Sequence, residues 1–329
     1  MATADKVVVT DYTFPALDQE QDAARGAGAE FAAFQCRTAD EVTDAVAGAK
    51  VAVVQFAPFT AEAAARLAPG AAVIRYGVGY DNIDIAACSA LGISVSYVPD
   101  YCADEVADHT AASLLASMRK LPALDASVRA GEWKAVAVAK PMKAFKDALV
   151  GFFGFGHIGR LTHARLKAFG FRFAVADPMV TQEQARDLGI ELMDAQTLFR
   201  TADAICLHAP ANEQTRFFVN AERLSSMQNH AVIVNTARGA LIDEAALAAA
   251  LSSGTIGGAA LDVFNTEPLE ADSPLRTAPN LLLTPHAAWY SESAIGRLQG
   301  LVAGDIAAWL AGSPLRRPVP GHVAASRLK

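Results

Sequence analysis

Three residues in the C-terminal half of this chain have side chains suited to moving a proton and gripping an anion. They are Arg238 in Val234-Asn235-Thr236-Ala237-Arg238-Gly239, Glu267 in Leu261-Asp262-Val263-Phe264-Asn265-Thr266-Glu267-Pro268, and His286 in Thr284-Pro285-His286-Ala287-Ala288-Trp289. Imidazole titrates near neutrality, so His286 is suited to exchange a proton with a substrate oxygen. Glu267 would hydrogen-bond the other ring nitrogen, where a carboxylate favours the imidazolium form. Arg238 would polarise a carbonyl and hold a carboxylate through its planar fork. Singly, each has a plainer reading: a surface ion pair for Arg238, an ordinary turn for Glu267 with Pro268. In this order, each behind an apolar run, they read as an acid–base set.

A second constellation precedes them. The apolar run Leu149-Val150-Gly151-Phe152-Phe153 leads into Gly154-Phe155-Gly156-His157-Ile158-Gly159. A helix-like stretch from Arg160 to Phe169 follows, closed by Gly170, and a second apolar run, Phe171 to Ala176, ends on Asp177. In G-x-G-x-x-G the first glycine permits a tight turn, the second lets backbone approach a pyrophosphate, and the third lets helix and strand pack closely. The helix N-terminus offers unpaired N–H groups to phosphates. Asp177, 18 residues past Gly159, stands where an acid binds ribose hydroxyls. For His157 the backbone N–H matters, not the ring.

Elements must deliver these residues to one place. Val7–Thr10, Val51–Val54, Val73–Tyr76 and Ile93–Ser96 read as strands, with helical stretches such as Ala61–Leu67 and Ile85–Leu91 between them. Alternation of this kind gives a parallel sheet covered on both faces. A long helix is expected over Ala103–Leu121, then an irregular stretch, Arg129–Phe145, carrying Trp133 and Pro141. A second strand series follows at Ala148–Phe153, Phe171–Ala176, Ala204–Leu207, Ala231–Asn235, Gly258–Asp262 and Leu281–Thr284, the pattern of a doubly wound nucleotide sheet. The final helix, Ser291–Ala311, is expected to cross back to the N-terminal unit. The expected fold is therefore α/β, with residues 101–289 forming a nucleotide domain inserted into a discontinuous substrate domain of 1–100 and 290–329. A ligand would bind in the cleft between the two.

Composition narrows the functions. The chain has 329 residues, 52% hydrophobic and 19% charged, with a formal net charge of −7. That charge argues against binding a phosphate backbone, which needs a basic stripe. No apolar run reaches the length of a membrane span. The opening Met1 to Lys6 lacks the features of a signal peptide. Cys36, Cys88, Cys102 and Cys206 are scattered without metal-ligand spacing and read as thiols in a reducing compartment. The expectation is a cytoplasmic protein without nucleic-acid, membrane or metal partners.

Taken together, these motifs resemble the D-isomer-specific 2-hydroxyacid dehydrogenases over nearly the whole chain. The resemblance implies two Rossmann/flavodoxin-like domains, NAD as cofactor, a small 2-oxo or 2-hydroxy acid as substrate and a homodimer. Arg238, Glu267 and His286 fall on the family's catalytic positions. Gly154, Phe155, Gly156, His157, Ile158, Gly159 and Asp177 fall on its cofactor contacts, with His208, Ala209, Pro210, Thr215, Thr236, Ala237 and Asp262, the last beside the nicotinamide carboxamide. The ring of His208 has a plainer reading as a structural histidine. The segment Arg75-Tyr76-Gly77-Val78-Gly79-Tyr80-Asp81-Asn82-Ile83-Asp84 matches the substrate-carboxylate loop. There Arg75 and the N–H groups of Val78 and Gly79 would serve, while Arg75 could equally be a structural ion pair. Gln55, Phe56, Ala57 and Tyr101 would line the substrate pocket.

Within the family, Pro285 to Glu292 looks most like the C-terminal-binding-protein branch related to phosphoglycerate dehydrogenase, in which Trp289 would reach the substrate pocket. With Lys329 as its last residue, the chain is expected to carry neither a serine-sensing domain nor a corepressor's tail. An NAD(H)-sensing corepressor-like protein is the rival to a dehydrogenase. A formate or phosphite dehydrogenase is a weaker third, for want of extra arms.

Overall fold

The computed structural model describes residues 4–320. Residues 1–3 and 321–329, which the sequence reading assigns to the substrate domain, lie outside the described residues. The chain divides into two compact units, Met1–Cys102 with Tyr290–Lys329, and Ala103–Trp289.

The first unit runs β1 (Lys6–Val9), α1 (Asp18–Gly26), β2 (Glu30–Ala33), α2 (Ala39–Ala45), β3 (Val51–Val54), α3 (Ala61–Arg66), β4 (Ala72–Arg75), α4 (Ile85–Ala90) and β5 (Ser94–Ser96). Its sheet is parallel in the order β2-β1-β3-β4-β5. The Val-rich strands β1 and β3 are almost wholly buried, as strands covered on both faces must be. β2, an edge strand of Glu, Phe and two Ala, is half exposed and lacks the buried apolar run that marks the others.

The second unit begins with α5 (Ala103–Met118), α6 (Leu121–Arg129) and α7 (Ala135–Ala139). One helix was expected to run to Leu121. It stops at Met118 because Pro122 offers no N–H and its ring would clash with the carbonyl one turn back. Lys120 turns left-handed (φ 53°), and α6 restarts with Pro122 in its first turn. The stretch expected to be irregular contains α7, and a 3₁₀ turn, Phe145–Asp147, begins at its last residue.

Then come β6 (Leu149–Phe153), α8 (His157–Leu166), β7 (Arg172–Ala176), α9 (Gln182–Leu188), β8 (Glu191–Leu192), α10 (Ala195–Thr201), β9 (Ala204–Leu207), α11 (Ala221–Ser225), β10 (Val232–Asn235), α12 (Glu244–Ser252), β11 (Gly258–Leu261) and β12 (Leu281–Leu283). The parallel sheet has the order β12-β11-β10-β9-β6-β7-β8. β8, two residues long at an edge, left no sequence signal. Strand order reverses between β6 and β9, and in open α/β sheets that switch point is the ligand crevice. At the opposite end, buried Asp203 fixes the feet of the same strands. It accepts from Leu149 N–H (2.7 Å), Lys143 Nζ (3.0 Å) and His230 Nε2 (2.5 Å).

The chain returns to the first unit as α13 (Glu292–Leu310), capped by Ser291, whose hydroxyl accepts from Ala294 N–H at 2.9 Å. α13 packs along α1. Both sheets are thus parallel α/β sheets, as the alternating pattern implied.

Candidate active site

At the switch point of the second unit, β6 turns through Gly154 (φ +86°). A Cβ there would sit 2.5 Å from Ala209 N and 2.6 Å from the His208 carbonyl carbon, so only glycine lets the turn pass the end of β9. Gly156 is different: nothing lies within 4 Å of where a Cβ would be. Its N–H and those of His157 and Ile158 meet no acceptor among the described residues. Phe155 anchors the loop, its ring buried against Phe152 at 5.3 Å. Its N–H donates to Asp177 Oδ2 at 2.6 Å, and Met179 N–H donates to Oδ1 at 2.8 Å. An open cradle of donors, with a carboxylate at the end of the second strand, fits the phosphates and ribose of a dinucleotide.

Across the crevice, the His208 ring stacks on Phe152 (centroids 6.2 Å apart), and its Nε2 is buried without a partner. Burial pushes its pKa down to about 4, so the ring is a neutral filler behind the glycine loop. Ala209 is buried. Thr215 staples its own loop, donating to the Pro210 carbonyl at 2.6 Å and accepting from Asn212 N–H at 2.9 Å.

The structure brings Arg238, Glu267 and His286 to one rim of this sheet, on the loops after β10, β11 and β12. His286 Nδ1 lies 2.6 Å from Glu267 Oε2, with the side chains 34% and 30% exposed. Phe264 N–H fixes the other Glu267 oxygen at 2.9 Å. Burial by itself would raise the Glu267 pKa. The hydrogen bond and charge of His286, the Phe264 N–H and the Arg238 charge outweigh it and hold the carboxyl below its ordinary value. Nδ1 is engaged by Glu267. The Arg238 loop is shaped by buried Asn235, which accepts from Ala237 N–H (3.0 Å) and donates to the Arg238 carbonyl (2.8 Å). Gly239 presses so closely on the Phe264 and Asn265 backbone that no side chain would fit. Arrangements of this kind can protonate an oxygen beside a bound anion.

Asp262 is 2% exposed and occupied with structure. Its Oδ1 accepts from the Thr284 hydroxyl (2.5 Å) and Ala287 N–H (2.9 Å), and its Oδ2 from Ala288 N–H (2.9 Å). Any further partner must use its remaining acceptor capacity. Trp289, at the end of this loop, is half-buried.

In the first unit, Arg75 lies at the end of β4, half-buried, its guanidinium packed beneath Gly77 (φ +133°) and 5.8 Å from the Phe56 ring centre. The Val78 and Gly79 N–H groups have no acceptor among the described residues. Of the three residues expected to line a pocket from the 55–57 loop, only Phe56 shows its side chain (41% exposed). Gln55 is turned inward to Thr13 Oγ1 (3.1 Å), and Ala57 is buried.

Supports went unread in the sequence. Asp11, at the end of β1, accepts from the N–H groups of Gln55 (3.0 Å), Phe56 (2.5 Å) and Ala57 (3.0 Å). Its only signal was an acid closing an apolar strand. Asn235 and Thr284 stood inside quoted segments without a role of their own, and His109 had no motif at all. Among the described residues no cluster of His, Cys, Asp or Glu could hold a metal ion, and no helix is long and apolar enough to cross a membrane.

The chain is similar to known proteins. Residues 111–288 match the family described as D-isomer specific 2-hydroxyacid dehydrogenase, NAD binding domain. The chain is 36% identical to glyoxylate reductase of Korarchaeum cryptofilum over 242 residues, 73% of each chain. It is 41% identical to D-3-phosphoglycerate dehydrogenase of Methanocaldococcus jannaschii over 233 residues, 70% of this chain but 44% of that longer one. Among solved structures, a protein of Thermus thermophilus (31% identity, TM-score 0.85) is matched over 95% of this chain and 99% of its own. D-lactate dehydrogenase of Aquifex aeolicus, solved with NAD and lactic acid (25% identity, TM-score 0.83), is matched over 93% and 96%.

Proposed function

The chain belongs to the D-isomer-specific 2-hydroxyacid dehydrogenase family and is an NAD-dependent oxidoreductase of 2-hydroxy acids, and from that premise we propose that Arg238, Glu267 and His286 carry the interconversion of a 2-oxo acid and its D-2-hydroxy acid. The observation that carries this reading is the 2.6 Å contact between His286 Nδ1 and Glu267 Oε2, with the Arg238 charge beside it.

When bound, NADH supplies the hydride that the keto carbon takes up. The glycine loop would hold the cofactor's phosphates through the N–H groups of Gly156, His157 and Ile158, and Asp177 would receive its ribose hydroxyls. Phe155, Gly154 and Gly159 shape that loop. Ala209, Pro210 and Thr215 bound the crevice from the β9 side, with His208 behind them. Thr236, Ala237 and the spare acceptor of Asp262 bound it further along the rim. His286 Nε2 delivers the proton to the keto oxygen, and Glu267 holds the ring and stabilises its charged form. Arg238 polarises the carbonyl and grips the substrate carboxylate. Arg75 and the N–H groups of Val78 and Gly79 offer a second anion-binding surface, in the first unit.

The aromatic character of Phe56 and Trp289, the residues assigned to the substrate side, favours a 2-oxo acid with a sizeable apolar group: an aryl, branched or methylthio side chain in preference to glyoxylate. The fingerprint with Asp177 favours NADH over NADPH. Four buried cysteines that form no disulfide support a cytoplasmic location. Trp133 (91% exposed), Val136 (76%) and Val128 (54%) on α6, α7 and their junction support a homodimer formed through this arm and α5.

The test is NADH oxidation across a panel of 2-oxo acids, from glyoxylate to phenylpyruvate. Wild type should turn over at least one. His286→Ala should lower kcat by about two to four orders of magnitude while NADH affinity changes little. Full activity in that variant, or no turnover of any member by wild type, would overturn the reading.

A further inference from the structure

We propose that His109 and Thr284 are positioning residues for the His286 loop, linked to it through Asp262. The functional part of this inference rests on the reading of His286 as the acid–base residue.

The His286 backbone is left-handed (φ 52°), a conformation few residues other than glycine adopt, so something must hold it. Asp262 does so from both ends. Its backbone carbonyl accepts His286 N–H at 2.8 Å, and its carboxylate takes Ala287 N–H and Ala288 N–H, each at 2.9 Å. The same Oδ1 accepts the Thr284 hydroxyl at 2.5 Å. A hydroxyl has one proton to give. Having donated it to Asp262, Thr284 Oγ1 must accept from His109 Nε2, 3.1 Å away. The hydrogen bonds therefore have a direction, from His109 to Thr284 to Asp262, and they require a proton on Nε2 of His109. His109 Nε2 is itself 3.8 Å from Asp262 Oδ1. Three elements meet here: α5 brings His109, the end of β11 brings Asp262, and the end of β12 brings Thr284.

The next residue of α5 repeats the device. Thr110 donates to the Val106 carbonyl at 2.7 Å, so it must accept from the Thr236 hydroxyl, 2.7 Å away. Thr236 lies two residues before Arg238. Successive helix positions point about 100° apart, so His109 and Thr110 reach different loops and are not one packing contact. Two adjacent residues of one helix thus fasten the loop of His286 and the loop of Arg238. Relaxing either tie lets a catalytic side chain drift, and a misplacement on the order of 1 Å is enough to lower a rate markedly.

The experiment compares His109→Leu, His109→Gln, Thr284→Val, Thr284→Ser and the double variant H109L/T284V with wild type. Two readouts are taken: steady-state reduction of the best 2-oxo acid, and amide hydrogen exchange at Ala287 and Ala288. His109→Leu and Thr284→Val should lower kcat by about 10- to 100-fold with NADH affinity unchanged. His109→Gln and Thr284→Ser, which keep a donor and a hydroxyl, should regain most of it. The double variant should be no worse than Thr284→Val alone, because the two act in series. Exchange at both amides should quicken in the Leu and Val variants. Unchanged exchange, multiplicative losses in the double variant, or equal losses in Thr284→Ser and Thr284→Val would overturn the proposal. If wild type reduces no 2-oxo acid, the functional reading falls, and exchange alone still decides whether the link holds the loop.

Discussion

At the scale of single residues, Asp177 has one job on view and a second that we propose, both with one carboxylate. It anchors the glycine loop through Phe155 N–H and Met179 N–H, and each oxygen retains capacity for a ribose hydroxyl. A 2′-phosphate would meet its negative charge, and Pro178, Met179 and Val180 supply no positive one. We expect kcat/KM with NADH to exceed that with NADPH, and Asp177→Ala to narrow the gap. Asp177→Ala also removes the acceptor of Phe155 N–H, so NADH affinity should fall more than in Asp177→Asn, which keeps an oxygen. Preference for NADPH in wild type would refute this. Trp289 is the residue we propose for specificity. It is half-buried and three positions past His286, where an indole can pack against an apolar substrate group. Trp289→Ala should weaken transition-state binding of bulky 2-oxo acids by about 1–3 kcal/mol relative to pyruvate. Equal losses in kcat/KM for both sizes would make Trp289 a support for the loop and nothing more.

At the scale of elements, the contact of α1 with α13 holds the test case. Glu20 on α1 is wholly buried. One carboxylate oxygen accepts from Gln299 Nε2 on α13 at 3.2 Å, and the other has no partner. Burial is the largest influence and pushes the carboxyl above its ordinary value. A raised folded-state pKa means that the neutral form is the one the fold prefers. The stability it brings is complete below the ordinary carboxylate value and is lost as pH rises through the folded one. Glu20→Gln removes that titration. Its Tm should therefore gain on wild type as pH rises from about 4 to about 8. A difference in Tm that stays constant over that range would show that the fold does not raise the Glu20 pKa. The Gln299 partnership could not be read ahead, since it joins residues 279 apart in sequence. Buried runs such as Val51–Val54 and the cap Ser291 could be, because each signal is local. Pro122 was a local signal too, and its effect on α5 is the plainest element-scale lesson: one missing N–H divides what periodicity alone would join.

At the scale of the whole molecule, exposed apolar side chains are the unpaired feature. Trp133, Val136 and Val128 cluster along one arm, and a lone chain gains nothing by showing them to water. Light scattering at micromolar concentration should return a dimer mass, and Trp133→Ser with Val136→Ser should shift it toward monomer. A monomeric wild type would contradict the proposed interface.

What the amino-acid order determined unaided was whatever depends on short-range pattern. Alternating strands and helices dictated two parallel sheets, and the spacing from Gly154 to Asp177 dictated a dinucleotide loop. The order of Arg238, Glu267 and His286 behind three successive strands placed them at one sheet edge, since parallel strands present their C-terminal ends on the same side. Tertiary structure alone decided what those residues lean on. Asp11 beneath the 55–57 loop, Asp262 beneath His286, Thr284 and His109 behind Asp262, and the inward turn of Gln55 all depend on hydrogen bonds between segments far apart in the chain. A buried polar group must find a partner wherever packing puts one, and no local spacing records where that is.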